Sequence, residues 1–352
     1  MKRFLVYGFI GLFAMVCWGS EAWAQGQIVL KAANYGGQFT ASQNKYAAEV
    51  FTNRTKIKIQ WIDGNPKDHL AKMIASKGRE APFDIVYLDD NVQADAMKLE
   101  LIEHLDPNIV TNLKFIYPEA IQFKGYGPGM IFYSVGLSFN SKKFKELGLE
   151  EPTSWKDLWN PKLAGHVAVP HISTIAGQDF LIACALINGG TEKTIDKGFE
   201  MHAKLKVLYF FTSSADLRTK FLSGDTWAAP WYNGRAWGVI DEGFPMKFIH
   251  PKEKGFAHTT TIDVVKGTKF PKEAQMFLNT VLDPLAQLGQ ANEIPYGPTN
   301  RLLAPVLKEY PELAKKFPSS VADLKGLYVP DWNYVNGQYQ EWVETWNKKI
   351  TK

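Results

Sequence analysis

Apolar and polar positions along this chain switch repeatedly between a period of two and a period near 3.6, as interleaved strands and helices do. Gln27–Ala33 predicts a short strand, and Tyr46, Val50 and Phe51 give residues 40–54 helical spacing. Lys56–Trp61 alternates polar with apolar residues, a second strand; His69–Lys77 reads as helix. Phe83–Leu88 is a buried strand and Val92–Leu99 another helix. This β-α-β-α-β order predicts a mostly parallel sheet with helices on its faces. Gly129–Phe139 is extended and apolar, and after Asn140 a second α/β unit begins. In it, Thr153 or Ser154 caps a short helix, Gly165–Pro170 is a strand, and Ser173-Thr174 leads into a long apolar helix containing Cys184. Further helices are expected over Ala215–Ser223, Asn233–Glu242 and Lys272–Leu282, and the stretch from Leu303 to Lys352 is mostly helical with a Pro-rich interruption.

One segment stands outside this pattern. Lys2 and Arg3 precede an apolar run from Phe4 to Trp18, and Ala22-Trp23-Ala24 ends just before Gln25. A basic head, an apolar core and a small-x-small site predict a secretory signal peptide over residues 1–24, cleaved after Ala24. The run is short and broken by Gly8 and Gly11, which disfavours a membrane span. Cleavage leaves 328 residues and, with Lys2, Arg3 and Glu21 gone, lowers the formal charge from +4 to +3. So nearly neutral a chain lacks the basic excess of a nucleic-acid binder. Its length fits two lobes. Cys184 would be the one remaining cysteine, so no internal disulfide or cysteine metal cluster is expected, and its apolar surroundings predict an inert thiol.

Catalytic signatures are missing. The chain has no Gly-x-Ser-x-Gly elbow, His-Glu-x-x-His helix, phosphate loop or dinucleotide glycine motif. Four places could carry binding chemistry. Asp89-Asp90 closes a buried strand, at the end of an open α/β sheet where ligands sit, or else caps the next helix. Trp227, Trp231, Tyr232 and Trp237 crowd around Pro230-Trp231-Tyr232-Asn233-Gly234, a turn composition that would deliver exposed rings and Arg235 to a site; packing in a core is the competing reading. Arg235 would fix a carboxylate by two hydrogen bonds. Ser173 and Thr174 begin a helix, where they either cap it or receive an anion. Tyr35-Gly36-Gly37 permits close backbone approach or simply turns. A metal pair from His166 and His171 is disfavoured by their scatter on strand and loop.

Taken in order, several of these pieces resemble the solute-binding proteins of ABC importers, most closely the polyamine and γ-aminobutyrate types. The resemblance rests on Tyr35-Gly36-Gly37, Asp84–Asp90, Tyr133–Asn140, Pro152–Lys162, Trp231–Arg235, Val264–Gly267 and Tyr296–Asn300. It implies an α/β fold of two lobes (the type II periplasmic-binding fold), each a mostly parallel sheet flanked by helices, with three crossing segments and the ligand between the lobes. The lobes would comprise residues 25–136 with 258–303, and 137–257 with 304–352. It implies a cleft lined by Tyr35, Gly37, Asp89, Asp90, Ser173, Thr174, Trp231, Arg235, His258, Thr260 and Tyr296. Polyamine binders carry an aromatic residue and then a carboxylate where His258 and Thr260 stand here, and acids near Ser173-Thr174. The cleft is therefore expected to hold few fixed negative charges and to favour a carboxylate-bearing solute, amino-acid-like or an organic acid, with Asp89 or Asp90 free to hold one ammonium. A polyamine is the alternative. A rival of another class is a secreted hydrolase or lyase using Asp89, Asp90 and His258; a sensor subunit feeding a membrane kinase would share the fold. The resemblance further implies a periplasmic monomer that docks to a membrane permease and uses no cofactor, metal or nucleic acid.

Overall fold

The computed structural model describes residues 27–351, so the expected signal peptide lies outside the described residues. Ten strands form one curled mixed sheet: β1 (Val29–Asn34), β2 (Lys58–Asp63), β3 (Ile85–Asp89), β4 (Gly129–Asn140), β5 (Val167–Pro170), β6 (Val207–Phe211), β7 (Ala228–Tyr232), β8 (Met246–Ile249), β9 (Phe256–Val264) and β10 (Gly297–Pro298). The order is β2-β1-β3-β9-β4-β7-β5-β6, with β8 and β10 attached to β4. At one end β1 runs parallel to β2 and β3; at the other β5 runs parallel to β6 and β7. The central strands β9 and β4 are antiparallel to each other and to their outer neighbours. The two parallel sets match the α/β units expected from the sequence; the antiparallel centre is what joins them into one sheet.

The fold is two-lobed, and the central strands explain how. Every residue of β4 and of β9 is buried, because neither strand has a face left to solvent. Met130–Tyr133 of β4 and Ile262 and Val264 of β9 pack in a first core with Leu30, Phe39, Phe51, Tyr87 and Phe277. Val135, Leu137 and Phe139 of β4 and Phe256 of β9 pack in a second core with Trp155, Phe180, Trp342 and Trp346. Both strands thus run from one lobe's interior into the other's.

Local chemistry places the helices around the two cores. Asn65 caps the helix Pro66–Ser76 by accepting from the Asp68 N–H, with Pro66 in the first turn, where its missing N–H costs nothing. Thr174 caps Ile175–Leu186 through the Gly177 N–H, and that helix is buried along its length. The last helix, Trp332–Lys349, buries Trp332, Val335, Trp342 and Trp346 in the second core. Its other side reaches the first lobe. Asn336 donates to the Asn91 carbonyl (2.8 Å) and to Asp95 (3.2 Å), and the Lys67 ammonium lies 3.7 Å from the Tyr339 ring centre. Burial pushes the Lys67 pKa down to about 8 against the pull of Asp95 and Asp89.

Candidate functional site

β3 carries Asp89, half-buried, out of the first core to the C-terminal end of the parallel strands. Tyr35, just past β1, donates its hydroxyl to Asp89 Oδ1 at 2.8 Å, and Tyr133 of β4 donates to the same oxygen at 3.2 Å. Thr260 of β9 stands 3.3 Å from the Tyr35 hydroxyl. The turn that sets Tyr35 needs its glycines. Gly36 and Gly37 have φ of 79° and 59°, and a Cβ at residue 36 would sit 2.9 Å from the Asp63 carboxyl carbon.

Tyr133 is the centre of an aromatic group. Its ring lies 5.8 Å from Tyr232, 6.1 Å from Tyr296 and 5.1 Å, stacked, from His258. Tyr296 packs over Gly234, where a Cβ would come within 2.3 Å of the ring. Asn233 locks this corner: its Oδ1 accepts from the Ser134 N–H (2.9 Å) and its Nδ2 donates to the carbonyls of Pro295 (2.9 Å) and Lys316 (2.8 Å). The helix Asn233–Asp241 therefore starts at a fixed point and presents Arg235 beside Tyr296. Burial raises the Tyr296 pKa, and the Arg235 charge works against that rise. None of the ion pairs among the described residues uses Arg235.

Burial pushes the Asp89 pKa up to about 6; Asp90 adds to the rise, while the Tyr35 and Tyr133 hydroxyls and the His258 charge oppose it. Among the described residues the side-chain bonds to Asp89 all fall on Oδ1, which leaves Oδ2 as an acceptor. Behind this corner His258 of β9 sits between two more carboxylates. Its Nε2 is 2.8 Å from Asp179 Oδ2, and its Nδ1 faces Asp90 Oδ2 at 3.4 Å, an ion pair rather than a hydrogen bond. Asp90 opens the helix Asp90–Lys98 just after β3, and Asp179 lies on the helix Ile175–Leu186, which packs in the second core.

Tyr35, Asp89, Asp90, Arg235, His258, Thr260 and Tyr296 thus come together. The other expected residues do not join them in the same way. Trp231 is 1% exposed, stacked on Phe221 with its indole N–H on Ser214. It is a core residue because Pro230-Trp231-Tyr232 is the end of β7 and not a turn, so Trp231 and Tyr232 point to opposite faces. Gly37 is exposed and opens the helix Gly37–Gln43. Thr174 is spent on capping, and Ser173 bonds His171 Nδ1 at 2.8 Å. His166 is stacked on Trp227 instead of pairing with His171. Among the described residues no cluster of three or more His, Cys, Asp or Glu side chains is built to hold a metal.

The expectation of few fixed negative charges is corrected: Asp90 and Asp179 converge on His258, directly behind Asp89. Asp179 sits inside an apolar helix, where the surrounding hydrophobic run hides it. The signal was there, since an acid within a fully buried helix must have a partner. Tyr133 and Tyr232 also line the corner, and their strands' alternation fixes which neighbours they meet.

Comparison with known proteins agrees with this architecture. The model of the family described as bacterial extracellular solute-binding protein matches residues 46–315. The spermidine/putrescine-binding periplasmic protein of Salmonella typhimurium is 24% identical over 308 residues, covering 84% of this chain and 86% of that protein. The γ-aminobutyric acid-binding protein of Pseudomonas aeruginosa is 22% identical over 340 residues, covering 93% and 91%. The crystal structure of an ABC transporter protein from Clostridium perfringens superposes with a TM-score of 0.72 at 23% identity, over 91% of this chain and 99% of that one. With two lobes joined by crossing strands, a polar corner between them and a family match over most of its length, the chain belongs to the bacterial extracellular solute-binding proteins, the solute-capturing components of ABC importers.

Proposed function

We propose that this chain captures a solute carrying one ammonium and one carboxylate, an amino-acid-like molecule. The observation that carries this reading is Asp89, whose Oδ1 is held by Tyr35 and Tyr133 while Oδ2 has no side-chain partner among the described residues. Tyrosine rings around a carboxylate suit an ammonium, which gains ion pairing and cation–π attraction together. Arg235, beside Tyr296 and outside the ion pairs of the described residues, suits the carboxylate end. The Pseudomonas relative is named for γ-aminobutyric acid, a molecule of this kind. A second reading, a polyamine, is favoured by Asp90 and Asp179 and by the name of the Salmonella relative.

The protein works as a receptor and not as a catalyst: it is exported, cleaved after Ala24, acts in the periplasm as a monomer and delivers its solute to a membrane permease. Its lobes, residues 25–136 with 258–303 and 137–257 with 304–352, close on the solute by bending the crossing strands. The test is thermal shift and calorimetry with γ-aminobutyrate, α-amino acids, dicarboxylates, putrescine and spermidine. Saturable binding of a single-ammonium acid, with no product formed, is expected. Preference for a dicarboxylate, or turnover of any probe, overturns the reading.

A further inference from the structure

His258 has two ring nitrogens, and each faces a carboxylate that can only accept: Asp179 at 2.8 Å and Asp90 at 3.4 Å. A neutral imidazole has a single N–H, so it could serve one of them and would repel the other; the imidazolium serves both. The ring is fully enclosed, stacked on Tyr133 at 5.1 Å with Trp332 at 5.7 Å. Burial pulls its pKa down, yet the two carboxylates outweigh burial and push it up to about 10. Asp179 is buried with Oδ1 unpartnered among the described residues, so its charge is compensated through His258. Asp90 lies in the first turn of the helix Asp90–Lys98, takes the Asn91 N–H on Oδ1 at 3.0 Å, and gains from the partial positive charge of that helix end. The three side chains form a self-compensated group behind the Asp89 corner.

We infer that His258 is a specificity-determining residue, a resident cation that occupies Asp90 and Asp179 and leaves Asp89 as the one carboxylate open to a ligand ammonium. The inference rests on the reading of an ammonium at Asp89. Its consequence is exclusion of solutes with two ammonium groups. A diamine's second ammonium finds the inner carboxylates already taken and a charge of its own sign in the way. Without the imidazole, Asp90 and Asp179 would be uncompensated, and the space it fills would admit a second ammonium.

The experiment uses the processed protein and its His258→Ala and His258→Gln variants, with putrescine and γ-aminobutyrate as probes and circular dichroism as the check on folding. In the variants the affinity for putrescine should rise at least about tenfold relative to that for γ-aminobutyrate, as expected when repulsion is replaced by attraction. Equal putrescine binding by wild type and variants overturns the inference, and so does a folded variant that gains none. If wild type binds no amine but a variant gains putrescine, the reading of the Asp89 corner fails, and of the role of His258 only its occupation of Asp90 and Asp179 stands. If neither variant folds, nitrogen NMR of the histidine-labelled wild type decides. Both ring nitrogens of His258 should remain protonated at pH 8; a neutral ring there overturns the inference.

Discussion

Asp89 and Asp263 are carboxylates of the same lobe, on adjacent strands β3 and β9, and both have pKa values raised by burial, to about 6 and about 7. They differ in how their oxygens are occupied. Asp263 accepts from the Gly127 N–H (2.9 Å) and Gln93 (2.9 Å) on Oδ1, and from Thr261 (2.9 Å) and Gln93 (3.0 Å) on Oδ2. Asp89 receives two tyrosine hydroxyls on one oxygen and no side-chain partner on the other, among the described residues. A raised pKa therefore does not by itself mark a binding site. The filled carboxylate is held inside the fold, and the half-filled one is where the proposed reading puts a ligand ammonium.

The sharpest way to break this contrast is Asp263→Ala. It strands the Gln93 amide, the Gly127 N–H and the Thr261 hydroxyl in the interior, and should cost about 3–5 kcal/mol of stability in urea unfolding. The folded protein should bind its solute as before. A loss below about 1 kcal/mol would put Asp263 in the same class as Asp89. Next in size is Asp89→Asn, which keeps the shape and an acceptor for Tyr35 but removes the charge. Affinity for a single-ammonium acid should fall about 30- to 100-fold, roughly 2–3 kcal/mol, with the ligand-free melting temperature nearly unchanged. Arg235→Ala should cost about 2 kcal/mol in affinity for the same acid and leave the affinity for a plain amine within about threefold. A large stability loss in either ligand variant, seen by calorimetry without solute, would recast that residue as structural.

The outer architecture is legible in the sequence because the parallel strands follow simple patterns. Val29–Asn34 and Ile85–Asp89 fall within two residues of the expected spans, as do the helices Asp90–Lys98, Asn233–Asp241 and Pro271–Val281. The centre is harder to read. Phe256–Val264 is covered on both faces, so its Thr259, Thr260, Thr261 and Asp263 are buried and the strand has no polar–apolar alternation to betray it. Pro230 disguises β7 as a turn. The strand tolerates it because β5 pairs with β7 only at Ala228, so Pro230 has β4 alone as a neighbour. The strand also decides Trp231, since alternation buries it against Phe221 and sends Tyr232, one residue on, to the opposite face beside Tyr133. Asp179 meets His258 from 79 residues away in the chain, and no local pattern encodes that pairing.

The smallest expected effect separates the two carboxylates by titration. In the ligand-free protein the Asp89 pKa is pushed up to about 6 by burial, and a bound ammonium favours its ionised form and lowers that value. Binding an amine therefore expels a proton from Asp89 below pH 6 and none well above it. Affinity should be flat above about pH 7 and weaken about tenfold by pH 5, close to 1.4 kcal/mol. In Asp89→Asn the residual binding should lose this dependence. Asp263 works in the opposite direction and on folding instead of binding. Its raised pKa, about 7 in the folded chain, means the folded state holds a proton that the unfolded state has released. That contribution is complete below the unfolded value near 4 and is lost as the pH rises through 7, so the ligand-free melting temperature should drift down across the same range in which affinity rises. If affinity and stability instead move together with pH in wild type and in Asp89→Asn alike, the proton being followed is not on Asp89, and the contrast between the filled and the half-filled carboxylate fails.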